Sequence, residues 1–163
     1  MKRQQSLFIL VLLLFSGLFQ SHARLMSVLT YQQLFDRSDL VVIATPVSKT
    51  MDTAEKTSLP NVYLLEPEGT KHQVRATGVE TSFHVCLVLK GSKDIKQLVL
   101  HHYRQDPPNK NVLNGPMLVS FDPQDQAKYS YIMFLVREED GRYAPTGGQT
   151  DPAYKSVSQL PVD

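Results

Sequence analysis

Around residues 80–89 every second side chain is apolar, with Phe83, Val85, Leu87 and Leu89 falling at period two. An α-helix would scatter such positions around its circumference, whereas a β-strand gathers them on one face. The segment therefore reads as a strand with one buried side. A partner follows at once: Lys90-Gly91-Ser92-Lys93-Asp94 supplies a turn, and residues 95–103, centred on Leu98-Val99-Leu100, form the second arm of a β-hairpin.

The rest of the chain repeats this grammar. Residues 39–47 are a β-branched run in which Pro46 marks an edge, bulge or bend, because proline cannot donate to a ladder. Residues 129–136, Tyr-Ser-Tyr-Ile-Met-Phe-Leu-Val, are the most apolar strand and belong inside the sheet. Asp140-Gly141 is a tight-turn signal before residues 142–145. Short strands are also expected at 117–121 and 155–160, separated by breaks at Gly147-Gly148 and Asp151-Pro152. At the front, Thr30 and Gln33 form a capping box for a short helix over residues 30–37. Residues 48–77, interrupted by Pro60, Pro67 and Gly69, read as a long hairpin-like excursion whose island Val62-Tyr63-Leu64-Leu65 is too small for a core of its own. Residues 104–114, with Pro107, Pro108 and three asparagines, read as a second long loop. Five or six short strands and one helix make the protein mainly β, a small barrel or sandwich. Its expected core comprises Val42, Phe83, Val85, Leu87, Leu98, Leu100, Ile132 and Phe134.

The first residues point outside the cytoplasm. Lys2 and Arg3 precede an apolar run from Leu7 to Phe19 and the small-residue pattern Ser21-His22-Ala23, the order of a signal peptide over residues 1–23 cut before Arg24. The run, broken by Ser16 and Gly17, is shorter than the roughly 20 apolar residues of a membrane span. The expectation is a secreted or periplasmic protein without stable membrane insertion after cleavage, in which residues 24–163 are one domain. Losing Lys2 and Arg3 takes the formal charge from +1 to −1, so the chain lacks the basic field that nucleic acids require. Cys86 is the only cysteine, so no intrachain disulfide can form, and its place between Val85 and Leu87 suggests a core role. The residue directly after the expected cut is Arg24 rather than a cysteine, so the acylation site of a bacterial lipoprotein is missing.

Several of these runs together resemble a known family. Gln32-Gln33-Leu34-Phe35, Ser38-Asp39-Leu40-Val41-Val42-Ile43 and Val47-Ser48 are similar to the start of the inhibitory domain of tissue inhibitors of metalloproteinases. Leu89-Lys90-Gly91-Ser92-Lys93-Asp94-Ile95 resembles that domain's hairpin, and residues 129–136 with Asp140-Gly141-Arg142-Tyr143 stand where its late strand pair stands. The outline, over about residues 30–145, also resembles small exported bacterial proteins of unassigned function. The resemblance implies an OB-like, five-stranded Greek-key barrel. It does not carry the inhibitory chemistry across: in that family an N-terminal cysteine ligates the target's zinc through its amine and carbonyl, and here Arg24 is the expected first residue.

Candidate chemistry is sparse. His84 and Cys86 are two apart and share a strand face, and His101 or His102 stands on the neighbouring strand. Imidazole and thiolate suit zinc or copper, so His84, Cys86 and His101 are the candidate metal ligands. His101 and His102 are adjacent and point to opposite faces, so only one can join. The plainer reading is a barrel strand with one half-buried and one solvent histidine. The chain has no Gly-x-Ser-x-Gly elbow and no His-Glu-x-x-His helix, and Glu138, Glu139 and Asp140 read as a solvated run before a turn. Residues 147–152 lack the Gly-Lys-Ser/Thr ending of a phosphate loop. Tyr103, Tyr129, Tyr131, Tyr143 and Tyr154 suit a binding surface or plain strand packing. No catalytic residue and no cofactor is assigned. The expected function is an exported, non-enzymatic binding or protein-interaction module. It would recognise a protein or small extracellular ligand through residues 48–77 and 104–114. The alternatives are a metalloproteinase inhibitor, a small exported hydrolase or a metal-binding protein.

Overall fold

The computed structural model describes residues 28–65, 68–106, 118–121, 128–150 and 155–161. The expected signal peptide, Arg24, residues 107–114 of the second long loop, Met117 of the expected 117–121 strand, and Asp151, Pro152 and Tyr154 lie outside the described residues.

The capping box forms and starts helix α1 (Tyr31–Arg37): the Gln33 N–H donates to Thr30 Oγ1 at 3.2 Å, and the Thr30 N–H donates to Gln33 Oε1 at 2.9 Å. Ser38 ends the helix, its hydroxyl donating to Leu34 O at 2.7 Å. The apolar side of α1 lays buried Leu34 against Val41 and Phe134, with Leu29 and Ile132 at the margin.

Seven strands follow: β1 (Leu40–Pro46), β2 (Met51–Leu65), β3 (Lys71–Lys90), β4 (Gln97–Gln105), β5 (Tyr131–Arg137), β6 (Tyr143–Pro145) and β7 (Val157–Gln159). Five of them close a barrel in the order β1-β3-β4-β6-β5, with β5 returning to β1 through pairs such as Val42 with Met133. All its pairings are antiparallel except β4 with β6, where Leu100 meets Tyr143. This is an OB-like barrel with a short N-terminal helix, the mainly β architecture that the strand pattern and the family outline imply. β7 pairs beside β6 along the first half of β5.

Inside the barrel Phe83 is fully buried and packs edge-on against Phe121 at 5.1 Å and Tyr131 at 6.4 Å. Val42, Val85, Leu98 and Leu100 join it, with Leu40, Val88, Met133 and Leu135. Residues 118–121 are not a strand, contrary to the sequence reading, yet Val119 and Phe121 are buried in this core.

Three further expectations are corrected, and two share one cause. β3 pairs with β1 through two register shifts: Ala44 faces Val85 while Ile43 faces Leu87, and Val42 faces Val88 while Val41 faces Lys90. Cys86 and Leu89 are therefore extra residues, and each bulge reverses the in-out alternation. The inward series runs Phe83, Val85, Val88, leaving Leu87 51% exposed and Cys86 in solvent rather than in the core. The third correction concerns β5: Ile132 is only half-buried, while Phe134 is buried as expected, in the cluster with Leu34 of α1 and Val41.

The excursion over residues 48–77 is built, not irregular. β2 and the first half of β3 make a ribbon running from the Met51–Glu80 pair to the Leu65–Lys71 pair; β4 backs β3 from Glu80 to Ala76, and beyond Ala76 the ribbon is two-stranded. Among the described residues β2 pairs with β3 alone. Because much of the described ribbon faces solvent, its sequence lacks apolar alternation; Leu59, Val74 and Ala76 pack together against Tyr103 and Leu118, and Thr77 and Val79 are buried where the ribbon meets the barrel.

Candidate functional site

The densest group of interacting polar side chains lies where the ribbon leaves the barrel. β4 presents His101 and Tyr103, paired with Glu80 and Gly78 of β3. Opposite Gly78 the β2–β3 register jumps: Asp52 pairs with Val79 and Lys56 with Thr77, so Thr53, Ala54 and Glu55 bulge over a single residue. The bulge re-aims Glu55 across β3 towards β4. Gly78 makes room for it, since a Cβ there would sit 2.8 Å from Thr53 Oγ1 and 3.1 Å from Glu55 Oε2.

His101 is 3% exposed. Its Nδ1 lies 2.9 Å from both oxygens of Glu138, which follows β5. A carboxylate only accepts, so Nδ1 carries the hydrogen. On the other side Glu55 Oε2 lies 3.1 Å from Nε2, but the direction is not that of a hydrogen bond and Nε2 is left without a hydrogen-bond partner. Tyr103 donates its hydroxyl to Glu55 Oε1 and stacks obliquely on His101 at 5.0 Å. Burial, and then the adjoining Glu55 carboxylate, push the Tyr103 phenol well above its ordinary pKa. Gln149 closes the rim: its Nε2 donates to His101 O at 3.0 Å, and its Oε1 is buried without a partner.

Arg142, on the turn before β6, neutralises part of the acidic rim. Its Nη1 donates to Glu80 Oε1 at 2.8 Å and its Nε to Asp140 Oδ2 at 2.7 Å, with Glu138 Oε2 3.7 Å from Nε. The backbone N–H of Arg142, aided by its guanidinium, holds the Asp140 carboxyl below the usual range. Two more ties fasten the ribbon. Arg104 grips Asp52 with a forked pair, which lowers the Asp52 pKa, and Lys56 Nζ reaches both Asp106 Oδ2 at 2.8 Å and Thr77 Oγ1 at 2.7 Å.

His102 points the other way, into the barrel. Its Nδ1 lies 2.9 Å from the Val119 carbonyl, an acceptor, so the hydrogen is on Nδ1 and Nε2 accepts from Thr81 Oγ1 at 2.9 Å. Thr81 in turn contacts Thr50 Oγ1 at 2.7 Å. A hydroxyl on an imidazole base has the geometry of a nucleophile and its base, but Thr81 is fully buried, so no substrate carbonyl reaches it. The arrangement satisfies buried polar groups instead.

The sequence-derived metal set does not assemble. His84 pairs with Gln97, four residues along β4 from His101, about 13 Å at strand spacing. His84 and Cys86 are exposed, and among the described residues Cys86 Sγ meets Thr45 Oγ1 at 3.6 Å. The pairing of one half-buried with one solvent histidine is also corrected: His101 and His102 are both buried, because β2 and the 138–142 turn cover the outer face of β4. Sequence reasoning missed Glu55 and took Glu138 for a solvated carboxylate. A glycine in the middle of a strand-like run, Gly78, was the available signal for a close approach.

No protein-family model and no curated protein matches the chain, so the functional reading rests on its sequence and geometry.

Proposed function

We propose that the protein is an exported, non-catalytic binding module whose β2–β3 ribbon recognises its partner, a protein or a small extracellular ligand. The observation that carries this reading is the way the ribbon is mounted. Asp52–Arg104, Glu55–Tyr103 and Lys56–Asp106 tie its base to β4, while the outer edge of β2 is unpaired among the described residues. A strand edge presents a row of free N–H and C=O groups that an extended peptide can join. A base fixed in advance lowers the ordering cost of binding. Tyr63, 51% exposed on the distal ribbon, is of the residue type that anchors interfaces.

The test is a pull-down from the native extracellular or periplasmic fraction with two baits. One is the intact protein; in the other, residues 64–72 are replaced by Asn-Gly, which closes the hairpin on the Tyr63–Gln73 pair and keeps Leu59 and Val74. A partner held by the intact protein and lost by the shortened, still folded one supports the reading. Equal capture by both removes residues 64–72 from the interface, and equal capture by a shortened bait that also carries Tyr63→Ala refutes the ribbon reading.

A further inference from the structure

Two buried side-chain atoms among the described residues lack a hydrogen-bond partner, His101 Nε2 and Gln149 Oε1, and they belong to one cluster. Gln149 Oε1 is an electron-pair donor, and so is His101 Nε2 whenever it carries no hydrogen. Glu138 accepts the Nδ1 hydrogen of His101, which leaves Nε2 as the ring atom open to a proton or a metal ion. Glu55 Oε2, a further electron-pair donor, lies 3.1 Å from Nε2, off the direction of a hydrogen bond. Two acceptors this close repel unless something positive lies between them. Around them stand four carboxylates, from Glu55, Glu80, Glu138 and Asp140, against the single guanidinium of Arg142.

We propose that Glu55 and His101 ligate a divalent transition-metal ion of the zinc type at the joint between ribbon and barrel. The spacing fits: ligand atoms about 2.0–2.2 Å from one ion are roughly 3.0–3.4 Å apart in octahedral or tetrahedral coordination, and Nε2 and Oε2 are at 3.1 Å. The supporting contacts are of the kind that metal ligands carry. Glu138 on Nδ1 makes a carboxylate–histidine pair that fixes the tautomer, and the Tyr103 hydroxyl on Oε1 fixes the second ligand. Among the described residues no three His, Cys, Asp or Glu side chains converge on one point, so the protein supplies two ligands and water completes the shell. Such an ion joins an element of the ribbon to one of the barrel. This inference goes beyond the binding-module reading and does not depend on which partner the ribbon takes.

Titration of the purified protein with Zn²⁺ by calorimetry, and with Co²⁺ by visible absorption, tests it. The expected result is one saturable equivalent. Glu55→Gln, which keeps a side-chain acceptor for Tyr103, should weaken binding at least about tenfold, and Glu138→Gln should weaken it by roughly 10–100-fold, as loss of an outer partner does. The double variant His84→Ala/Cys86→Ser should bind as the parent does. Zn²⁺ should also raise the melting temperature of the parent and not that of Glu55→Gln, a readout that requires only that each variant fold. No saturable binding up to about 1 mM would overturn the proposal. Unchanged binding in Glu55→Gln, or binding lost with His84 and Cys86, would overturn it equally.

Discussion

Gly78 and Glu55 occupy the same space: a Cβ at position 78 would come within 3.0 Å of the Glu55 Cβ and 2.8 Å of Thr53 Oγ1. The absence of a side chain on β3 is thus what allows the β2 bulge to send Glu55 over to Tyr103 and His101. Gly78→Ala should force the bulge outward and cost about 1–3 kcal/mol in urea-induced unfolding, as overpacking does. The Tyr103 phenol, relieved of Glu55 and opened to water, should also ionise at lower pH, which ultraviolet titration reads. A neutral substitution would show that the bulge gives way freely.

The bulges in β3 make a second prediction, in which three apolar residues that look alike in the sequence behave differently. Phe83→Ala empties the centre of the barrel and Phe134→Ala empties the layer under α1; both rings are at least 96% buried, so each should cost about 3–5 kcal/mol. Leu87→Ala removes a side chain that is half in solvent and should change stability by less than about 0.5 kcal/mol. Denaturant midpoints for the three variants check the order. A large loss at Leu87 would mean that its face is covered.

These residues also show how far the sequence could be read. The hairpin of β3 and β4, the apolar β5, the turn at Asp140-Gly141 and the capping box at Thr30 announce themselves because each depends on neighbours in the chain. What escaped depends on partners far away. Nothing local to Val85-Cys86-Leu87-Val88 says that β1 will skip Cys86, so the alternation reads straight through the bulge. Similarly, Glu55 and Glu138 lie 83 positions apart and become a pair only because the β2 bulge and the turn after β5 close on the same histidine. The candidate set His84, Cys86 and His101 failed for the complementary reason: shared strand faces were inferred correctly in kind, but the register places His101 four residues from the pair of His84.

Processing is tested separately from the fold. Lys2, Arg3, the apolar run to Phe19 and Ser21-His22-Ala23 lead us to expect Arg24 as the N-terminus of the exported protein. Intact mass of material from the medium or periplasm should correspond to residues 24–163. Recovery of the full-length chain from the membrane fraction would refute cleavage.

The last prediction concerns acid sensitivity and rests on His102. Burial lowers its pKa from 6.5 to about 4, the adjoining His101 pushes the same way, and the bond to the Val119 carbonyl opposes both. The folded protein therefore holds this ring neutral where the unfolded chain, with a pKa near 6.5, binds a proton. Between pH 6.5 and about 4 the unfolded state binds more protons, so stability falls as pH falls through that window and is fully present above it. The contribution is on the order of 3 kcal/mol over the whole window, of which roughly 2 kcal/mol should be lost between pH 7 and pH 5. His102→Asn keeps an amide that can donate to Val119 O and removes the titrating group. It should be less stable than the parent at pH 7 because Thr81 loses its imidazole partner, yet show a shallower decline towards pH 5. Urea unfolding of both proteins at the two pH values measures the difference in slope. Parallel declines would mean that the acid sensitivity of the barrel comes from other groups.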